Sequence, residues 1–192
     1  MLNFDKSIAG SYLKEYADLF EAIPDIKNIY NKITSSLGDD FINKGNGIYI
    51  HKDAKVSDLA YLEGYIIIDK DAVIKPFAYL REYSIIGKKC NIGRSEVKNA
   101  IIFDETNLPH YNYAGDSILG THVNMGAGSI ITNVKLNKDV VINNKSYHKM
   151  GAIIGDNVKI GANAVINPGH VIEANTFIKP LSSVWYFSYY LV

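Results

Sequence analysis

The sequence predicts a mainly β protein whose larger part is a parallel β-helix of hexapeptide repeats, preceded by a short N-terminal helical arm. Three observations support this prediction. Aliphatic residues recur at every sixth position, the position four residues further on is mostly small, and the chain before residue 46 instead follows helical spacing. The aliphatic series begins Ile50, Val56, Leu62, Ile68, Ile74, Leu80, Ile86 and Ile92.

Length and charge limit the classes of function. The chain has 192 residues, enough for one domain with a small appendage, and its formal net charge is +0 at pH 7. A neutral chain has no general attraction to nucleic acid or to an anionic membrane, so we expect neither as a partner. We recognise no signal peptide and no membrane span, and the single cysteine, Cys90, cannot form an internal disulfide. We therefore expect a cytoplasmic protein.

Residues 1–46 are predicted to form the helical arm. Apolar spacings of three, four and seven indicate helices over about residues 12–20 and 24–37, with Pro24 in the first turn of the second helix and Gly38 at its end. A helix with one apolar stripe must bury it, and we expect this stripe to pack on the neighbouring domain or on a sister subunit. The stripe consists of Ile26, Ile29, Tyr30, Ile33 and Leu37.

Residues 47–181 are predicted to form the β-helix. Each hexapeptide would supply one short strand and one corner of a triangular coil, with the aliphatic side chain inside and small residues at the crowded turns. Cys90, at a small-residue position, is interpreted as core filling. The six-residue spacing returns twice, and we expect these residues also to point inward: Ile101, Asn107, Tyr113, Leu119, Met125 and Ile131, then Ile154, Ile160, Ile166, Ile172 and Ile178.

The repeat breaks in two places and ends in an aromatic segment. Between Ile92 and Ile101 the step is nine residues, so we expect the coil to bulge outward around residues 96–98. The polar stretch at about residues 132–150 is out of phase and is interpreted as a loop that leaves the prism, where functional residues are common. Residues 182–192 form an aromatic tail that we expect to cap the last coil or to swap onto another subunit.

Five polar side chains at and after the first break form a candidate site. Histidine is the usual general base near neutral pH, and a carboxylate can orient it. Lysine, tyrosine and asparagine can bind an anionic substrate, so such a set suits proton abstraction beside an anion. The residues are Glu96, Lys98, His110, Tyr113 and Asn124.

The repeats resemble those of the left-handed parallel β-helix acyltransferases, from about residue 50 to residue 180. Three stretches sharpen the resemblance: Glu96-Val-Lys98, His110-Tyr-Asn-Tyr113-Ala-Gly-Asp116, and the run over residues 124–133. They are similar to the acetyltransferase domain of bifunctional glucosamine-1-phosphate N-acetyltransferase / N-acetylglucosamine-1-phosphate uridylyltransferase, and to related sugar-nucleotide pyrophosphorylase-like proteins. This resemblance implies a left-handed coil, a homotrimer with sites between adjacent prisms, and acetyl-CoA as co-substrate without a metal.

The resemblance also implies roles for individual residues. His110 would be the general base and Glu96 its partner, in the N-acetylation of an amino sugar 1-phosphate or a related nucleotide sugar. The backbone N–H groups near Gly126 and Gly128 would stabilise the oxyanion. The implied substrate-binding residues are Lys75, Lys98, Tyr113, Asn124, Asn133 and Lys138, and the implied cofactor positions are Gly126, Gly128 and Ala162.

Other interpretations stay open. Lys75 and Ala162 stand where the family has an arginine and a serine, which favours a non-catalytic or regulatory β-helix scaffold that partners a separate sugar nucleotidyltransferase. No glycine-rich phosphate loop follows an early strand, so we expect no uridylyltransferase activity. His110 and His122 of adjacent subunits could also form a metal site.

Overall fold

The computed structural model describes residues 1–185 and confirms the mainly β fold class, with a β-helix of about 8 turns. The helices are a 3-10 helix at Phe4–Lys6, then α1 (Gly10–Leu13), α2 (Leu19–Ala22) and α3 (Ile26–Thr34). The strands are Phe41–Asn43, Ile48–His51, Lys55–Val56, Tyr61–Leu62, Ile66–Ile68, Val73–Ile74, Tyr79–Leu80, Ser84–Ile86, Asn91–Ile102, Asn107–Leu119, Asn124–Met125, Ile130–Ile131, Val140–Ile142, Lys145–Tyr147, Ala152–Ile154, Lys159–Ile160, Val165–Ile166, His170–Ile172, Phe177–Ile178 and Ser183–Val184.

The parallel strands stack in three columns, which form the three faces of a prism. The arm face consists of residues 48–51, 66–68, 84–86, 100–102, 117–119, 152–154 and 170–172. The asparagine face consists of residues 55–56, 73–74, 91–92, 107–108, 124–125, 159–160 and 177–178. The tyrosine face consists of residues 61–62, 79–80, 96–97, 113–114, 130–131, 165–166 and 183–184.

Three corners join these faces, and each is named after one of its residues. The His110 corner joins the asparagine and tyrosine faces and includes residues 75–78, 93–95, 109–112, 126–129 and 161–164. The Asp116 corner joins the tyrosine and arm faces, at residues 81–83, 98–99, 115–116, 132–133 and 167–169. The Asp104 corner joins the arm and asparagine faces, at residues 69–72, 87–90, 103–106, 120–123 and 155–158. Left-handed backbone closes many turns, for example at Asp116 (φ 49°) and Asn163 (φ 54°), residue types that tolerate it.

The interior differs from the prediction over part of the chain. Val97 is 0% exposed and lies in the core rather than in an outward bulge. Steps of five residues bring Val97 and then Ile102 inward, so the predicted series from Ile101 is one residue out of phase. The residues that fill the core in place of Ile101, Asn107 and Tyr113 are Ile102, Leu108 and Ala114. A further five-residue step restores the predicted phase at Leu119, which is buried as expected.

The helical arm packs on the arm face of the β-helix. The stripe of α3 is buried there, and Tyr30 contacts the rings of Tyr65 and Tyr83 at centroid distances of 6.0 and 5.8 Å. The first predicted helix is wrong in detail, because α1 and α2 are two short helices. Asp18 separates them, since its side chain accepts a hydrogen bond from Phe20 N at 2.9 Å and so caps α2.

The stretch predicted as a loop at residues 132–150 contains a β-hairpin. Val140–Ile142 pairs antiparallel with Lys145–Tyr147, and Asn143 and Asn144, both with positive φ, form the turn. Asn143 donates to Asp18 at 2.9 Å, so the hairpin closes onto the arm. At the other end of the chain, residues 182–192 were predicted to form an aromatic tail, but Ser183–Val184 adds a strand to the tyrosine face. The rest of this tail, from residue 186, lies outside the described residues.

Candidate functional site

Arg81 and Glu96 form the centre of a charged cluster on the tyrosine face. The Arg81 Nη1 group donates to Glu96 Oε1 at 3.0 Å. The Arg81 Nε atom also lies 3.8 Å from Glu63 Oε2 and 3.7 Å from Glu82 Oε2. Arg81 was missed by the sequence reasoning, although it follows the interior residue Leu80 directly and so had to lie at the start of a corner. Its guanidinium is therefore already close to three carboxylates of its own and neighbouring coils.

Tyr113 and Asn133 connect this cluster to the Asp116 corner. The Asn133 amide donates to the Tyr113 hydroxyl at 3.0 Å and to the Asp116 carboxylate, whose other oxygen accepts from Asn99 at 2.9 Å. Burial raises the pKa of Tyr113, and the charges of Asp116 and Glu96 add to this effect, so the phenol stays protonated. A Cβ atom at position 115 would lie 2.3 Å from the Tyr113 hydroxyl, which explains the glycine there.

Lys98 completes the cluster. Its side chain is only 14% exposed, and its Nζ atom lies 3.9 Å from both Glu82 Oε1 and Asp116 Oδ1. These distances are longer than a good hydrogen bond, so the ammonium is attracted to both carboxylates without being bound tightly to either. Lys98 is therefore the cation of the cluster that can most easily turn toward a ligand.

His110 lies at the opposite edge of the tyrosine face and is exposed. Its ring forms no hydrogen bond with any residue in 1–185, and it is not joined to Glu96, whose carboxylate is bound by Arg81. The register explains the separation, because Glu96 pairs with Tyr113 whereas His110 pairs with Arg94 across a bulge in the strand. The predicted His110 and Glu96 pair is thus not formed within one chain.

Asn112 fills that bulge and was not recognised from the sequence. Its side chain is buried, accepts a hydrogen bond from His110 N at 3.1 Å and donates to Gly126 O at 2.7 Å. The His110 carbonyl in turn accepts from Gly128 N at 2.9 Å. Asn112 therefore fixes the backbone that presents the His110 imidazole. An asparagine between two tyrosines gave no signal in the sequence, because only the bulge makes it buried.

The positions predicted for the cofactor lie together on the His110 corner. A Cβ atom on Gly126 would lie 2.6 Å from Ala162 N, and Gly128 has a φ of 70°, so both need glycine. Lys75 is exposed on the same corner and is not joined to the charged cluster in the described part of the chain. Asn124 lies on the asparagine face, between Asn107 and Lys159. The structure thus separates these residues from Tyr113.

A cavity of about 550 Å³ lies at the Asp116 corner, beside residues 134–138, which follow this corner in the chain. Its walls are mainly apolar, and the predicted substrate residue Lys138 lies there rather than in the charged cluster. The lining residues are Thr132, Val134, Lys135, Leu136, Asn137, Lys138, Asn167, Pro168, His170 and Trp185. The volume is in the range of small-molecule sites.

Residues 1–185 contain neither a cluster of metal ligands nor a helix that could cross a membrane. No group of three or more histidine, cysteine or acidic side chains there has the arrangement of a metal site. None of the helices in that range has the length and apolar character needed to cross a membrane.

The known proteins that resemble this chain match the region that carries the hexapeptide repeats. A family profile described as GMPPB C-terminal domain matches residues 62–149. The bifunctional protein GlmU of Methanococcus maripaludis is 46% identical over 90 residues, which cover 44% of this chain and 22% of that protein. The bifunctional sugar-1-phosphate nucleotidylyltransferase/acetyltransferase of Sulfurisphaera tokodaii is 36% identical over 160 residues, which cover 79% of this chain and 40% of that protein.

Among solved structures, a hexapeptide transferase family protein from Anaplasma phagocytophilum is similar with a TM-score of 0.43 and 19% identity, covering 65% of this chain and 72% of that one. The chain spans less than half the length of the two curated relatives. Over its repeats, the chain has the β-helix fold of the hexapeptide-repeat acyltransferases and resembles the acetyltransferase region of bifunctional sugar-phosphate enzymes.

Proposed function

We propose that this protein transfers the acetyl group of acetyl-CoA to the amine of an amino sugar 1-phosphate, similar to glucosamine 1-phosphate, or of a related nucleotide sugar. The observation that carries the proposal is the cluster of Glu96, Lys98, Tyr113 and Asn133 on the tyrosine face and its Asp116 corner. The far edge of this face presents the His110 imidazole, which has no hydrogen bond within residues 1–185. Acyl transfer to an amine requires a base and polar groups that hold the substrate, and this chain presents them at opposite edges of one face.

The chemistry needs one proton acceptor and a place for the developing oxyanion. As the amine attacks the thioester carbonyl, the neutral His110 ring takes the amine proton, the C–N bond forms and the C–S bond breaks. The His110 imidazolium then gives this proton to the departing thiolate, so charge and atoms balance. A well-placed base contributes roughly 100- to 10,000-fold in rate. The N–H groups of the His110 corner near Gly126 and Gly128 are candidates for binding the oxyanion.

The charged cluster supports recognition of a sugar rather than of a simple anion. Its partly exposed carboxylates, Glu63, Glu82 and Glu96, can accept hydrogen bonds from sugar hydroxyls. Arg81 and Lys98 supply positive charge for a phosphate, and Lys98, the less tightly bound of the two, is the first we expect to move.

A homotrimer is part of this proposal. The arm covers one face of the prism, whereas Tyr61 on the tyrosine face is 64% exposed. Asn124 and Lys138 lie apart from Tyr113 within one chain, so we propose that they act in a cleft shared with a second copy. Sedimentation velocity tests this assembly, and a protein that stays monomeric at assay concentration contradicts it.

The test is release of free thiol from acetyl-CoA with glucosamine 1-phosphate and a panel of amino sugars and nucleotide sugars. His110→Ala should abolish acceptor-dependent release. His122→Ala is the matched control, because this histidine is also partly exposed but lies at the Asp104 corner. Equal turnover of His110→Ala and the parent protein, or no release with any acceptor by folded protein, contradicts the proposal.

A scaffold role is the second candidate. It is favoured by the pairing of Glu96 with Arg81, which leaves His110 without an orienting carboxylate in one chain. Under this alternative the protein binds a separate sugar nucleotidyltransferase and releases no thiol. Acceptor-dependent release that disappears in His110→Ala excludes it.

A further inference from the structure

The cavity of about 550 Å³ at the Asp116 corner lies where the β-helix meets the excursion, the name we give to residues 134–149. One wall belongs to the coils and includes Thr132 and the buried Pro168. The other wall is formed by residues 134–138 of the excursion. The two ends of the excursion are tied together, because Met150 N donates to Asn133 O at 2.8 Å. Both walls of the cavity are therefore anchored to the coils.

Asn167 joins the coil wall to the last described strand. Its side-chain amide donates to Ser183 Oγ at 3.0 Å and to Val184 O at 2.8 Å. The His170 Nδ1 atom lies 2.8 Å from Asn167 O, so this ring is also held in place. These bonds fix the strand that precedes Trp185, which lines the cavity with its indole 63% exposed. The coil wall thus presents an aromatic ring from a fixed position.

The charged side chains that line the cavity are two lysines, and none of the described residues that line it is acidic. Lys135 and Lys138 form no salt bridge and no side-chain hydrogen bond within residues 1–185. The next residue, Asp139, is engaged by the hairpin, because it accepts from Ser146 Oγ at 2.8 Å and lies 3.6 Å from His148 Nδ1. The cavity therefore contains two positive charges, which match the charge of one phosphate dianion.

Apolar side chains form much of the remaining surface. Val134 and Leu136 are both exposed, and Leu136 is 104% exposed, so the excursion presents aliphatic groups that the chain itself leaves uncovered. Beside them, the indole of Trp185 offers a flat surface for a planar ring, a contact worth about 1–3 kcal/mol for a nucleic-acid base. The side-chain amide of Asn137, which makes no hydrogen bond within residues 1–185, can both donate and accept. A planar heterocycle that carries a phosphate would use all of these groups.

We infer that this cavity is a second binding site, which takes a nucleoside monophosphate. The base stacks on Trp185 and bonds through its edge to Asn137, while Lys135 and Lys138 bind the phosphate. The volume lies in the range of small-molecule sites. The predicted coenzyme positions lie on the His110 corner, so we assign this cavity to a free nucleotide rather than to acetyl-CoA. The inference shares Lys138 with the proposed acetyl transfer but requires no turnover, so the failure of one does not decide the other.

The experiment is titration of the whole protein with AMP, followed by the fluorescence of Trp185. Tryptophan occurs once in the sequence, so a change in its emission reports on this cavity. Lys135→Ala should raise the Kd roughly tenfold or more, as expected for the loss of a charge-assisted bond to phosphate. Trp185→Ala removes the fluorophore, so its Kd is measured by calorimetry, and we expect a rise of roughly tenfold from the lost stacking.

Matched controls separate this site from other anion binding. Lys149→Ala changes a lysine of the same excursion that does not line the cavity, and His110→Ala changes the proposed base; both should bind AMP like the parent protein. Adenosine should bind more weakly than AMP and be insensitive to Lys135→Ala. Inorganic phosphate should also bind more weakly and be insensitive to Trp185→Ala, and coenzyme A should not displace AMP.

Four results would overturn the inference. They are the absence of saturable AMP binding, an unchanged Kd in both Lys135→Ala and Trp185→Ala, displacement of AMP by coenzyme A, and a Trp185 signal that changes with protein concentration but not with AMP. The last result would mean that a second copy of the chain covers the cavity instead.

Discussion

Replacing Asn112 by alanine is expected to lower the free energy of unfolding by about 2–4 kcal/mol. The side chain is buried and makes three good hydrogen bonds: from His110 N at 3.1 Å, to Gly126 O at 2.7 Å and to Ser129 Oγ at 3.1 Å. Each is worth about 0.5–1.5 kcal/mol net, and alanine also leaves the His110 N–H without its acceptor. The bond from the Asn112 backbone N–H to Ser95 Oγ remains in the variant.

Urea unfolding followed by circular dichroism measures this change. At this chain length, 2–4 kcal/mol corresponds to a fall in Tm of roughly 5–15 °C. Asn107→Ala is the matched control on the same strand, since its side chain makes a single 3.3 Å bond to Glu105 O, and we expect a change within about 0.5 kcal/mol. An Asn112→Ala protein with the stability of the control and an unchanged m-value would refute the view that Asn112 holds the bulge.

Two further predictions concern the coils. Gly93→Ala should destabilise the protein strongly or prevent folding, because the added Cβ atom would lie 1.8 Å from Pro109 O. Gly38→Ala is the control and should be near neutral, because its Cβ atom would meet nothing within 4 Å. Thermal melts compare the Tm values of the two variants. Burial raises the pKa of the Cys90 thiol from 9.0 to about 12, so the folded state keeps its proton after the unfolded state has lost it. Stability should therefore fall between pH 9 and 12 by up to about 1.4 kcal/mol per pH unit, and Cys90→Ala should show a smaller fall in urea titrations; identical pH profiles would contradict this.

The hexapeptide spacing predicts the β-helix because every coil must place one apolar side chain inside each face. The spacing does not determine whether Ile101 or Ile102 points into the β-helix, since both side chains are buried. Ile102 fills the core, and Ile101 lies beneath the arm on the outer surface of the same strand. Strands covered on both sides lose the alternation that reports which side chains point inward. The run Ile66–Ile68 carries the same signal, which could have indicated an outer cover on this face.

The residues of the candidate site were largely recognisable by type, because Glu96, Lys98 and Tyr113 stand near the break in the repeat. The sequence could not determine which residues these side chains contact. Register across the bulge joins Glu96 to Tyr113 and leaves His110 opposite Arg94. Arg81 binds Glu96 because neighbouring coils bring together residues that are distant along the chain.

The sequence by itself therefore determines the repeating coil and indicates most of the candidate site residues, since both follow from residue type and local spacing. Only the tertiary structure decides the five-residue steps, the burial of Asn112 and the pairing of Glu96. These features depend on contacts between successive coils and on contacts with the arm. A shift of one residue in a strand moves its inward-facing side chains to the outer surface, so local spacing alone does not determine them.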